Sequence, residues 1–229
     1  MQAYVYGTRR TLPGGFEEYL DARGAAVVSI DMHRGHLEDA PDCPCPAPRA
    51  REIVAPINRF HEAARRLGVP IIHVETTLRR GGVDDVRGGV AAWRKVFPLY
   101  VGPIPNADAH AIEGSKWTEF VTFVDRERDL LVTTKKRLSA FYPTDLEFLL
   151  RNLRKTTVVL NGGFTDCCVL NAAFDASNLD FRVVVLRDLV RGTNPEMEDA
   201  ALRIISLHTG LVMDSEEVLG AWRAQLVRP

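Results

Sequence analysis

Six short apolar runs recur along this chain, at 25–30, 71–74, 130–134, 157–160, 181–186 and 211–213, and several of the stretches between them repeat apolar residues every three to four positions. Continuous apolar runs of this length suit strands covered on both faces, and strands joined by helical crossovers run parallel. The alternation predicts an α/β fold: a three-layer αβα, doubly wound, mostly parallel sheet. Helical spacing is clearest after Arg49, where Ile53, Ile57, Phe60, Ala64 and Leu67 share a face and Gly68 with Pro70 ends the element. Thr144 before an acidic first turn, and Ser215 before Glu217, mark two further helix starts, with another helix from about Asn194 to His208.

No internal repeat divides the chain, so 25–229 reads as a single domain. Residues 1–24, with Pro13, Gly14 and Gly15 and no sustained period, read as an N-terminal arm. The stretch 76–128 is broken by Gly81-Gly82, Gly88-Gly89, Pro98, Pro103 and Pro105, and reads as a functional loop, a lid or a contact surface. Trp93, Trp117 and Phe120 within it are either pocket walls or packing residues.

With 29 basic residues against 30 acidic ones, nothing favours a polyanion, and nucleic acid is not expected as a partner. No apolar run approaches the roughly 20 residues of a membrane span and no secretory leader is evident, so no membrane partner is expected and the location reads as cytoplasmic. Cys43 and Cys45 lie in a proline-rich loop without the histidines of a zinc site, and adjacent Cys167 and Cys168 are awkward disulfide partners.

The chemistry-bearing stretch is Asn161-Gly162-Gly163-Phe164-Thr165-Asp166-Cys167-Cys168-Val169, between an apolar run and a segment of helical spacing. It reads as strand, tight turn and helix. A cysteine there meets the N–H groups and positive end of a helix, which lower thiol pKa and stabilise anions; the plainer reading is a small buried hydrophobe. Asp31 closes the first run, at the sheet edge where open α/β folds place ligands, or else is an ordinary turn residue. Lys135-Lys136-Arg137 closes the third, as a solvated charge cluster or as part of the same site. His73, inside the second run, reads as a satisfied core histidine.

Taken together, three motifs resemble the isochorismatase-like cysteine hydrolase superfamily, whose members include nicotinamidases, ureidoacrylate and biuret amidohydrolases and N-carbamoylsarcosine amidase. Val27-Val28-Ser29-Ile30-Asp31-Met32 is similar to its opening strand, and Lys135-Lys136-Arg137-Leu138-Ser139-Ala140-Phe141-Tyr142-Pro143-Thr144-Asp145-Leu146 to its lysine, Ser-Ala-Phe and Thr-Asp-Leu segment. Gly163-Phe164-Thr165-Asp166-Cys167-Cys168-Val169 is similar to its glycine-led Thr-x-x-Cys-Val nucleophile turn.

The resemblance implies an Asp31, Lys135 and Cys168 triad, selecting Cys168 over Cys167 and Lys135 over Lys136 by spacing. It also implies an oxyanion hole of Phe164 and Cys168 backbone N–H groups, a cis Gly163–Phe164 peptide, and hydrolysis of a small amide, ureido or carbamoyl compound through a thioester acyl-enzyme. Vinyl ether hydrolysis of the isochorismate kind, or a non-catalytic scaffold, are the alternatives. His33, Arg34, Trp117, Phe141, Tyr142 and Phe164 are the candidate substrate contacts, Arg34 being equally suited to a structural ion pair. The histidine-rich metal cluster of nicotinamidases has no counterpart in Glu75-Thr76-Thr77-Leu78-Arg79-Arg80, so no catalytic metal and no cofactor is expected. The family's habit implies a homo-oligomer, dimer or tetramer.

Overall fold

A computed structural model describes residues 1–84 and 92–226, so Gly88-Gly89 lie outside the described residues. In chain order the elements are β1 (Gln2–Val5), β2 (Thr8–Thr11), β3 (Ala25–Ile30), α1 (Arg34–Leu37), α2 (Val54–Arg66), β4 (Ile71–Thr76), α3 (Ala92–Val101), β5 (Leu130–Lys135) and α4 (Leu146–Asn152). They continue with β6 (Thr157–Gly163), α5 (Leu170–Asn178), β7 (Arg182–Arg191), α6 (Pro195–His208), β8 (Gly210–Met213) and α7 (Ser215–Leu226). One sheet holds the eight strands in the order β2-β1-β8-β7-β6-β3-β4-β5.

The six strands from β3 onward are parallel, and their spatial order reverses between β3 and β6, the switch point where doubly wound sheets open a crevice at the strands' carboxyl ends. Period-two alternation along β3 shows both faces covered. Ala25 and Val27 join one apolar cluster with Ile53, Ile57, Phe60 and Trp222, while Ala26, Val28 and Ile30 join another with Leu146, Leu150, Ala172 and Ile205. The expected three layers are present.

The amino-terminal segment departs from its reading as an arm. β1 and β2 form an antiparallel hairpin, and β1 pairs with β8, so the segment extends the sheet. Two four-residue strands of mixed polarity carry too weak a period to be read locally; their pairing with β8 is long-range.

The approach of β6 to β3 depends on Gly162. Its φ is +112°, and a Cβ there would lie 2.2 Å from the carbonyl oxygen of Ile30, the residue before Asp31. Gly162→Ala is therefore expected to cost about 4 kcal/mol or more, or to prevent folding, as read by chemical denaturation. A variant within about 1 kcal/mol of the wild type would sink this account.

Candidate active site

Three strand ends converge at the switch point. Asp31 follows β3, Lys135 ends β5, and Cys168 lies in a single π-helical turn, Thr165–Val169, between β6 and α5. Such turns recur at functional sites because the extra residue redirects a side chain. The turn is closed by Val169 N–H donating to Phe164 O at 3.1 Å, and the Gly163–Phe164 peptide before it is cis.

Lys135 Nζ spends its three protons on three partners: Asp31 Oδ2 at 2.7 Å, Thr76 Oγ1 at 2.6 Å and Cys168 Sγ at 3.4 Å. Asp31 Oδ1 in turn accepts from Thr76 N–H at 2.9 Å and Thr76 Oγ1 at 3.1 Å. All four residues are buried, Asp31 and Lys135 to 1% exposure. Asp31 holds a φ of +53°, a left-handed conformation that costs a non-glycine residue about 1–3 kcal/mol, and its N–H is anchored on Val74 O at 2.8 Å.

Thr76 was not legible as a site residue. A register shift between Val74 and Thr76 sets Thr76 opposite Lys135 on β5, and a bulge of that kind re-aims side chains in a way no local pattern reveals. Lys136, the alternative lysine, instead donates to Thr77 O and pairs with Asp84 at 3.0 Å.

Charge follows geometry. Burial acts to raise the Asp31 pKa, but the Lys135 ammonium, aided by His33 and His36, outweighs it and holds the carboxyl well below the usual range. Burial likewise acts against the Lys135 ammonium and is overcome by Asp31 and Cys168, so its pKa is raised. The Cys167 and Cys168 sulfurs lie 3.9 Å apart. That contact, then burial, raises Cys168 well above an ordinary thiol, so it rests protonated beside a carboxylate. The same contact shifts Cys167 downward, yet the ammonium reaches the sulfur of Cys168, and Cys167 is less deeply buried.

Glu75, next to Thr76, is a second residue the sequence did not mark. It is buried with Oε2 lacking a partner among the described residues, and burial followed by the nearby Asp31 charge pushes it up to about 8. Its folded pKa thus exceeds the unfolded value of 4.5, so its contribution to stability is fully present below pH 4.5 and is lost as pH rises through about 8. Glu75→Gln should therefore gain on the wild type by a few kcal/mol on the order of that shift between pH 5 and pH 9 in urea titrations. Parallel pH profiles for the two proteins would refute it.

Of the six expected substrate contacts, the structure gathers some and scatters others. His33 is buried 3.9 Å from Asp31, and Phe164 is buried at the start of the turn that carries Cys168. Trp117 is buried and its carbonyl accepts from His33 Nδ1 at 2.8 Å. Phe141 packs against Phe181 at 6.1 Å in the same apolar cluster as Cys168. Tyr142 lies at the surface, 70% exposed. Arg34 takes the ion-pair role, forking onto Glu38 at 2.5 and 2.8 Å and reaching Glu119 at 2.7 Å, which commits its guanidinium. Two side chains of the 76–128 stretch pack at the site: Phe97 meets the Phe164 ring at 6.2 Å and Trp93 meets His110 at 5.1 Å. His73 lies in the core as expected, with Nε2 3.0 Å from Asp129 Oδ2, but its Nδ1 is buried without a hydrogen-bond partner among the described residues, so it is only half satisfied.

A cavity of about 230 Å³ opens against Phe164, walled by Pro46, Arg49, Phe97, Ile104 and Thr193. All four cysteines are free thiols.

Residues 25–217 match the family model of the isochorismatase domain. The chain belongs to the isochorismatase family. Among its relatives, N-carbamoylsarcosine amidase of an Arthrobacter species is 25% identical over 219 residues, spanning 95% of this chain and 79% of that protein. Maleamate amidohydrolase of Pseudomonas putida is 27% identical over 197 residues, 86% of each chain. The crystal structure of a cysteine hydrolase from Pseudomonas syringae pv. phaseolicola superposes with a TM-score of 0.76 over 89% of this chain and 94% of that one, at 22% identity, so the isochorismatase-like fold is shared. The family match begins at β3, which leaves the β1–β2 hairpin outside it. Among the described residues of this family member, no helix is long and apolar enough to cross a membrane.

Proposed function

We propose that this isochorismatase-family chain is a cysteine amidohydrolase that cleaves a C–N bond of a small amide, ureido or carbamoyl compound. The observation that carries the reading is the single buried ammonium of Lys135 touching a carboxylate, a hydroxyl and a thiol at once. Asp31, ionised next to a protonated Cys168, takes the thiol proton as sulfur adds to the substrate carbonyl. The C–N bond then breaks, the leaving nitrogen collects that proton, and water, deprotonated by the same carboxylate, cleaves the thioester to a free acid.

Lys135 keeps Asp31 ionised and stabilises the thiolate as it forms. Thr76 fixes the Asp31 carboxylate from the other side, so the acceptor oxygen stays turned toward the ammonium. The backbone N–H groups of Phe164 and Cys168 receive the oxyanion, contacts of a kind that contribute about 3–4 kcal/mol each. The 230 Å³ cavity is smaller than the roughly 300–1,000 Å³ of drug-sized ligand pockets and suits only a small substrate. The amidase relatives point to the same bond class.

The test is a panel of small amides, ureides and carbamoyl compounds assayed for ammonia release, with intact mass of the enzyme quenched during turnover. An adduct of acyl mass on Cys168 is expected. Turnover of a vinyl ether with no amide cleaved would overturn the reading.

A further inference from the structure

Three histidines far apart in sequence meet beside the proposed nucleophile. His33 precedes α1, His36 lies within it, and His110 follows a turn at Ala107–Ala109 in the 76–128 stretch. Their ring centroids are 4.5, 5.0 and 5.9 Å apart, and one nitrogen from each ring lies within 4.8 Å of the others. All three are buried, at 0%, 6% and 7% exposure.

The partners of the outer nitrogens settle the tautomers of two rings. His33 Nδ1 faces Trp117 O at 2.8 Å and His36 Nδ1 faces Cys45 O at 2.9 Å; a carbonyl only accepts, so each Nδ1 carries the proton and each Nε2 keeps its lone pair. Metal-bound imidazoles are held in this way, with the far N–H tied to a carbonyl. Gly35 makes the anchoring possible, because a Cβ there would lie 2.9 Å from Trp117 O and 3.0 Å from the His33 ring. The Nε2 atoms of His33 and His110 are buried without a hydrogen-bond partner among the described residues. Buried polar atoms are rarely left so, and two of them on rings clustered with a third imidazole mark a place built for a ligand.

We propose that His33, His36 and His110 form a binding site for a divalent transition metal ion of the zinc class. Three neutral nitrogen ligands suit zinc and its first-row neighbours and suit magnesium or calcium poorly. A three-histidine set leaves at least one coordination position open. Asp31 Oδ1, 3.9 Å from His33 Nε2, supplies compensating negative charge, and the edge-on contact of His36 with Phe164 at 5.4 Å sets the site against the turn that carries Cys168. The expectation of no metal rested on residues 75–80; this cluster draws on His33 and His36 ahead of the second strand and on His110 some thirty residues beyond that segment. The inference does not depend on the hydrolase reading.

The test uses the untagged full chain, stripped with dipicolinate and titrated with Zn²⁺ or Co²⁺. Expected are about one metal ion per chain by mass spectrometry and visible cobalt bands of a low-coordinate nitrogen site. His36→Gln and His110→Gln should each weaken binding about 100-fold, whereas Cys168→Ala should leave the stoichiometry intact. Near-zero uptake at saturating metal, or wild-type affinity in the double histidine variant, overturns the proposal. Should the histidine variants fail to fold, X-ray absorption on the zinc-loaded wild type decides. Scatterers at about 2.0–2.1 Å with imidazole character and no sulfur uphold it, and sulfur at about 2.3 Å overturns it. Metal stoichiometry and ammonia release are separate readouts, so either reading can fail alone.

Discussion

Cys168→Ala is expected to cut turnover by about 10⁴-fold or more on whichever amide the enzyme cleaves, with binding of that substrate little changed. On the proposed mechanism, removing Cys168 leaves only the oxyanion contacts and substrate positioning, and these cannot replace covalent chemistry. Cys167→Ala should retain most of the activity, because the Lys135 ammonium lies 3.4 Å from the Cys168 sulfur and Cys167 reaches the site only through a sulfur–sulfur contact of 3.9 Å. A modest change is expected even so, since that contact helps keep the Cys168 thiol protonated at rest. The measurement is kcat and KM for both variants, with intact mass after quenching. Equal loss from the two substitutions, or an acyl adduct surviving in Cys168→Ala, would remove Cys168 from its assigned role.

Lys135→Met should be among the most destabilising single changes in the protein. It strands the Asp31 carboxylate in a site 1% exposed, and breaking a buried pair from one side costs about 3–5 kcal/mol. The pH dependence has a definite sign. The folded pKa of Asp31 lies below 3.8, so its contribution is present above that pH and lost as pH falls through the folded value. That of Lys135 lies above 10.5, so its contribution is full below pH 10.5 and lost as pH rises through the folded value. The wild-type pair therefore acts at full strength across neutral pH. In Lys135→Met the lone carboxyl is better tolerated protonated, so the deficit should grow from pH 5 to pH 8. The double variant Asp31→Asn with Lys135→Met should recover most of the stability and none of the turnover. Urea titrations at the two pH values check this, and a single variant within about 1 kcal/mol of the wild type at pH 8 would contradict it.

The helix and strand layout was readable because each signal is local. The apolar run 25–30 coincides with β3, the periodic residues after Arg49 with α2, and Asn194 caps α6 by accepting from Met197 N–H at 2.8 Å. Parallel strands end at one edge, so a polar residue placed after such a run is already placed in space; this is why Asp31 and Lys135 stood out. Arg34 had two readings open from its position, and its contacts decide for the ion pair: Glu38 four residues on, and Glu119, which lies 85 residues away.

By itself, then, the chain's pattern of apolar runs and turns determined the parallel sheet and the polar residues delivered to its open edge, since these depend on neighbours a few residues apart. Only the folded structure decided that the amino-terminal hairpin joins the sheet through β8, that Thr76 bridges Asp31 and Lys135, and that His33, His36 and His110 converge. Those are contacts between distant segments, fixed by strand register and by the packing of His110 and Trp117 against His33, and no local period records them.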